Sequence, residues 1–351
     1  MFLLREVRPS DLDDMEALAR RLNTLNLPPD RKVLKQLIES SRASFGHKFD
    51  DPSDREYVFV LRDLEHDRVI GTCMIIAQHG TYERPSVYFN VRQEQKYSST
   101  LAKHFVHQVL QLSFNFDGPT EIGGLILHPE YRGHALRLGK LLAYVRFLYI
   151  GMHPQMFRDE IVAELLPPLN PDGTSDLWDA LGRQFTGLDY MTADKLSRAN
   201  IEFIQNLFPF TPIYSSLLPA EVAAQIGQVG APTRPVEKML RRIGFRWDHS
   251  IDPFDGGPTF SVPTQNCEAI RRFAWETFAG VLDPEKNEPD GVAMIGYEHE
   301  SRHVRFRATY GPYKRVADGV LFHSQNLEHL RLQPGEPFGF LPFSGPGLAP
   351  F

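Results

Sequence analysis

Cysteine is nearly absent. The two in 351 residues, Cys73 and Cys267, are too few and too far apart for a disulfide framework. Neither lies in a CxxC or His-rich setting that would hold zinc, so both are expected to be reduced, buried thiols. Positive charge is also short: 38 Lys and Arg against 44 Asp and Glu give a formal net of −6. The whole molecule therefore lacks the electropositive surface that nucleic-acid or anionic-membrane binding needs, and any phosphate site must be local. No run reaches the roughly 20 apolar residues of a membrane span, since the most apolar stretch, Leu138 to Met152, is short and carries Arg146. The opening residues turn polar after Met1-Phe-Leu-Leu, without the apolar core of a signal peptide, and a cytoplasmic location is expected. No metal site is expected either. His47, His79, His104, His107, His249 and His303 form no ligand grouping, and His104 and His107, one helical turn apart, lack a third ligand.

What is present is the balance of a folded protein, 42% hydrophobic and 23% charged. The length exceeds one typical domain of roughly 100 to 200 residues, which predicts a main domain over 1–260 and a small β-rich one over 261–351. Phe2 to Val7 reads as a strand. Ser10-Asp-Leu-Asp starts a helix with Met15, Leu18, Ala19 and Leu22 on one face, and a second helix runs from Arg31 to Ser44. Tyr57 to Leu61 and Val69 to Gln78 suit antiparallel strands, with another over Ser86 to Val91. Leu101 to Leu112 has helical spacing. Thr120 to Leu127 is an apolar strand ending at His128-Pro129, followed by a helix from about Leu136 to Ile150 and a strand over Ile161 to Leu165. A long irregular section opens at Pro167-Pro168. It gives way to helical pieces over Asp176 to Gln184, Ala193 to Leu207, Pro219 to Ile226 and Thr233 to Ile243, then a strand from Phe245 to Ile251. Further strands are predicted at Val292 to Tyr297, Val304 to Tyr310 and Val320 to Phe322.

The chemistry concentrates between Glu121 and Tyr149, where an apolar strand, a Pro break, a basic Gly-containing turn and a helix follow one another. A turn with exposed amides at a helix N-terminus offers donors and positive dipole density to a pyrophosphate, and Arg132, His134, Arg137 and Lys140 add local charge. An ordinary strand-to-helix turn with solvated basic side chains fits the same residues.

The order of elements resembles the Gcn5-related N-acetyltransferase fold, and Tyr131-Arg-Gly…Gly-Lys-Leu-Leu resembles its acyl-CoA motif. The fold class implied is α/β: a mixed sheet flanked by helices, with a long insertion and a small β-rich C-terminal segment. That motif usually has Gly, or Gly and Ala, three and five residues after the Arg. Here Ala135 and Arg137 stand there and the glycine comes at Gly139. Nearly the whole chain is similar to the arginine N-succinyltransferase family. The similarity rests on Tyr57-Val-Phe-Val-Leu, Leu125 to Arg132, Ile161-Val-Ala-Glu-Leu, Pro212-Ile-Tyr-Ser-Ser-Leu-Leu, Ile226-Gly-Gln-Val, Gly244-Phe-Arg-Trp and Ile251-Asp-Pro-Phe-Asp-Gly-Gly-Pro-Thr.

The resemblance implies transfer of succinyl from succinyl-CoA to the α-amine of arginine or a related amino acid. Acyl-CoA would be a cosubstrate, with no permanently bound cofactor; a homo-oligomer is compatible with the sequence. It places the acyl-pantetheine arm against Leu125 and Leu127, whose side chains equally suit core packing, and the phosphates near Arg132, Gly133, His134, Gly139 and Lys140. Glu121 reads as a base acting through water or as a solvated strand-end charge, and His128 as a titrating group or a turn residue. Asp252 and Asp255 read as carboxylates for a cationic amine or as an Asp-Gly turn. Three positions depart from the family. Its histidine after Ile-Gly-Gln-Val is Gly230, its histidine before Pro-Ile-Tyr is Thr211, and its Gly-rich Thr-Ser-Leu-Pro is Asn23-Thr-Leu-Asn-Leu-Pro. The alternative is therefore a CoA-binding regulatory protein of the same fold whose activity is lost or changed.

Overall fold

The computed structural model describes residues 1–22, 27–198, 200–283, 285–299, 305–325 and 327–343. His303, the start of the strand predicted at Val304 and the departure at Asn23-Thr-Leu-Asn lie outside them. The strands are β1 (Phe2–Glu6), β2 (Glu56–Asp63), β3 (Arg68–Ile76), β4 (Ser86–Ser98), β5 (Lys103–Asn115), β6 (Thr120–Leu127), β7 (Glu160–Glu164) and β8 (Ile213–Tyr214). They continue with β9 (Arg246–Ile251), β10 (Pro258–Pro263), β11 (Ala274–Val281), β12 (Gly291–Glu298), β13 (Phe306–Val316), β14 (Gly319–Phe322) and β15 (Pro337–Pro342). The principal helices are α1 (Leu12–Leu22), α2 (Arg31–Phe45) and α3 (Leu138–Met152). No helix among the described residues is long and apolar enough to cross a membrane.

Packing divides the chain into two units, each discontinuous: 1–78, 120–161 and 263–351 in one, 79–119 and 162–262 in the other. This differs from the linear division at 260/261. The C-terminal strands do not stand apart, because β13 pairs with β1 through Leu4 opposite Ala308 and Arg5 opposite Arg307.

In the first unit, β1, β2, β3 and β6 form an antiparallel run in that order. Beyond β1, the order β12-β15-β11-β14-β13, with β13 also paired to β12, closes a five-stranded barrel that has no free edge. Phe278, Ile295, Phe322, Phe338 and Phe340 fill it. Asp30 caps α2 by accepting from the Lys32 and Val33 N–H groups, and the buried stripe Leu34, Ile38 and Phe45 faces the sheet. Leu18, Leu34, Ile38, Val58, Val60 and Ile126 share one core. Helix α3 is buried nearly all round, which explains a sequence apolar without a polar face.

The second unit holds β10, β9, β4, β5 and β8 in order, with short helical pieces. Among these, Ala193 to Leu207 is two helices, Tyr190–Ser197 and Glu202–Leu207. Leu101 to Leu112, expected as a helix, is most of strand β5, which pairs with β4 along thirteen residues. The segment is rich in β-branched and aromatic residues, Phe105, Val106, Val109 and Phe114, and Ala102 turns the hairpin with φ 47°. His104 and His107, three apart on a strand, point to opposite faces. Among the described residues no group of His, Cys, Asp or Glu could hold a metal.

Candidate functional site

Strand β6 is interrupted where the acyl arm was expected. Thr72 lies opposite Ile126 and Met74 opposite Gly123, so three steps of β6 span two of β3, a β-bulge. Gly124 takes φ +56°, and a β-carbon there would sit 2.9 Å from Met74 Cγ, so the bulge requires glycine. Its carbonyl accepts from Thr72 Oγ1 at 3.2 Å. Leu125 and Leu127, on the far side of the bulge, are half-buried, while Ile126 between them is buried. Glu121, half-buried, stands opposite Ile76 two residues before Gly123.

From α3, Arg146 donates to the Gly123 carbonyl at 3.3 Å and to the Ala143 carbonyl at 3.1 Å, and Cys73 Sγ donates to the Leu142 carbonyl at 2.9 Å. Arg146 is 2% exposed, and burial pulls its pKa down. It braces the bulge. In the sequence Arg146 is a lone Arg in an apolar helix, the one local signal of this role. Burial also pushes the thiols up, Cys73 to about 12 and Cys267 to about 11, so both are inert free cysteines.

After Leu127, a short 3-10 turn over Pro129–Tyr131 leads to Gly133 (φ +74°) and to Arg137, the residue preceding α3, in left-handed conformation at φ 45° and ψ 52°. No side chain caps α3 and no acid lies in its first turn, which leaves its N-terminal amides and dipole to an anion. Arg137 occupies the place of a motif glycine, and its left-handed backbone shows why glycine suits that place. Arg132, Gly133 and Arg137 are exposed; Gly139 and Lys140 are half-buried. The Lys140 ammonium lies over the rings of Tyr144 and Phe343, at 5.5 and 5.1 Å. His134 Nδ1 accepts from the Leu136 N–H at 3.1 Å, and its ring meets Phe2 edge-on at 5.2 Å. His128 is 7% exposed; its Nδ1 accepts from the Glu130 N–H at 3.4 Å and its ring meets Tyr131 edge-on. That is a turn-holding geometry.

The turn is tied down through Tyr131. Its hydroxyl donates to Asp63 Oδ2 at 2.6 Å and accepts from Arg68 at 3.2 Å. Burial would raise the Asp63 carboxyl, but hydrogen bonds from Tyr131, His66 and the Glu65 N–H outweigh it and hold the pKa at about 2. A carboxyl depressed on folding stabilises the folded state above about pH 4 and ceases to do so as pH falls toward 2. Tyr131→Phe is expected to cost about 1 kcal/mol at pH 7 and to shrink the stability lost between pH 4 and 2, as read by denaturant melts across that range.

In the second unit Asp252 and Asp255 hold a tight turn. Asp252 accepts from the Phe254 and Asp255 N–H groups at 2.6 and 3.1 Å, and Asp255 from the Gly257 N–H at 2.8 Å. Both carboxyls are raised by burial first. The charge of Glu164 helps lift Asp252 to about 7, and Asp252 in turn lifts Asp255 well above the carboxylate range. Asp252 and Asp255, with Asp194 and Glu164 acting on them, are acids whose mutual repulsion favours the protonated form and which a bound cation would relieve. Gly230 lies in the same unit, its N–H donating to the Leu166 carbonyl at 2.9 Å.

The family model for the arginine N-succinyltransferase beta subunit matches residues 2–269. An arginine N-succinyltransferase of Salmonella arizonae is 32% identical over 340 residues, covering 95% of this chain and 96% of that protein. One of Escherichia coli O6:K15:H31 is 32% identical over 339 residues, covering 96% of each. The solved arginine/ornithine succinyltransferase subunit AI from Pseudomonas aeruginosa shares the fold, with a TM-score of 0.83 at 24% identity over 98% of this chain and 99% of that one. With a bulged strand, an uncapped helix and a full-length match in agreement, the chain belongs to the arginine N-succinyltransferase family.

Proposed function

We propose that this protein transfers a succinyl group from succinyl-CoA to the amine of arginine or a related amino acid. The observation that carries this reading is the bulge of β6 leading directly into the open N-terminus of α3. On this reading, backbone groups at the bulge near Leu125 and Leu127 take the acyl-pantetheine arm. The turn then offers Arg132, Gly133, His134 and the amides ahead of Gly139 and Lys140 to the phosphates. The neutral amine attacks the thioester carbonyl, the C–N bond forms as the oxyanion develops, and collapse expels the CoA thiolate. A backbone N–H of the bulged strand would meet that oxyanion. An α-amine of pKa about 8 is mostly protonated at neutral pH, and Glu121 is our candidate to receive its proton through water. His128 is the lesser candidate, since its Nδ1 is already used within the turn. Asp252 and Asp255 would hold the cationic acceptor.

Arg132→Gln is expected to raise KM for acyl-CoA about tenfold with kcat little changed, measured by thiol release with arginine saturating. An unchanged KM would remove Arg132 from the phosphate site. Gly230, where the family has histidine, favours the second reading, a CoA-binding regulator. Tight acyl-CoA binding with no amine-dependent thiol release across a panel of amino acids would establish that reading and sink the first.

A further inference from the structure

A cavity of about 450 Å³ opens in the first unit on the sheet face that carries Leu3 and Arg5. Leu3 lies opposite Arg62, and Arg5 opposite Arg307, so cross-strand register gathers three guanidiniums on one face of β1, β2 and β13. Arg8 and Arg331 complete the wall. Phe2, whose ring meets Tyr131 and His134, points to the other face of β1, so this cavity and the acyl-CoA turn lie on opposite sides of the strand.

Like charges so close need compensation, and the carboxylates at hand supply only part of it. Asp11 takes two hydrogen bonds from Arg5, each 2.7 Å, and a third from Arg62 at 3.3 Å. Asp67 closes on Arg62 at 2.6 Å, while Glu328, on the rim, has a side chain 79% exposed. Five guanidiniums stand against these three acids and the charge of Glu6, which also reaches Arg8. Among the described residues neither the Arg8 nor the Arg331 guanidinium forms an ion pair with a carboxylate; the charges of Asp11 and Glu6 reach Arg8, but its Nε is buried without an acceptor. Burial, then the charges of Arg5 and Arg307, pull the Arg8 guanidinium down to about 10, outweighing the opposite pull of Asp11 and Glu6.

We propose that this cavity binds a small dianion, a phosphate monoester or a dicarboxylate, through the unpaired guanidiniums of Arg8 and Arg331. The planar fork of Arg suits two oxygens of either group, and the volume suits a small metabolite. The site is separate from the acyl-CoA turn and does not depend on the transfer reaction.

The test is calorimetric titration of the full chain with inorganic phosphate and, separately, with succinate, at ionic strength held constant with chloride. Saturable binding of at least one is expected, and which one binds identifies the ligand class. Arg8→Gln and Arg331→Gln should each weaken it at least tenfold, whereas Arg132→Gln on the acyl-CoA turn should leave it unchanged. No saturation by either anion up to about 10 mM, or loss in the Arg132 variant with retention in the other two, would overturn the proposal. Arg331 is exposed, so its variant serves if Arg8→Gln does not fold.

Discussion

Replacing Gly230 with histidine is expected to lower the melting temperature by roughly 5 to 10 °C and to add no transfer activity. The substitution would install the residue that the family carries after Ile-Gly-Gln-Val. On this backbone, however, a β-carbon at 230 would meet the Pro167 carbonyl oxygen at 2.5 Å and the Leu166 oxygen at 3.1 Å. Those atoms are backbone and cannot rotate aside. The Gly230 N–H is bonded to the same Leu166 carbonyl, so moving the segment breaks that bond as well. A cost of about 3 kcal/mol follows, typical of overpacking a fixed backbone. Differential scanning calorimetry and an amine-dependent thiol assay on the purified variant check it. A stable Gly230→His protein with higher turnover would show that a proton donor is all that the chain lacks.

Asp252→Asn is expected to lower kcat/KM for the acceptor about a hundredfold while leaving KM for acyl-CoA unchanged, and to make the protein more stable at pH 8. Both effects come from the same buried charge. Asp252, raised to about 7, binds a proton in the folded state at pH values where the unfolded chain has lost it. Its contribution to stability therefore declines as pH rises from about 4 through 7, and an uncharged amide removes that decline, a gain on the order of 2 kcal/mol at pH 8. The ionised form is the one that attracts a cationic acceptor, so wild-type acceptor affinity should climb through pH 7 and the variant's should stay flat. Denaturant melts at pH 5 and 8 and acceptor titrations over the same range measure the two halves. Unchanged acceptor kinetics would leave Asp252 a turn residue only.

The strand and helix over 120–152 were readable because their signals are local: an apolar run from Thr120 to Leu127, a Pro break, and an apolar helix beyond it. The bulge at Gly124 was not, since it depends on the register against β3, and glycine alone does not announce positive φ. Strand β5 is not legible in the sequence because its apolar residues also fall at helical intervals; the long ladder with β4 overrides that spacing. The basic cavity was beyond reach, because Arg5, Arg62 and Arg307 meet only through pairings between distant strands. Asp63 bonded to Tyr131 is a similar case, two residues 68 positions apart.

The pairing of β1 with β13 also bears on how the chain is made. The Phe306 N–H donates to the Glu6 carboxylate across 300 positions, and Arg5 meets Arg307 beside it. During synthesis at roughly 5 to 20 residues per second, β1 emerges with one edge already able to take β2 and the other waiting many seconds for its partner. That edge carries Leu3 and Leu4 in a short apolar strand, the kind of template that recruits foreign strands. Buried Arg5 and Glu6 at its end are charges that such a recruit would have to desolvate. The charges of this strand, Arg5 paired with Asp11 and Glu6 bonded to the Phe306 N–H, thus act as gatekeepers during translation as well as fastenings in the finished protein.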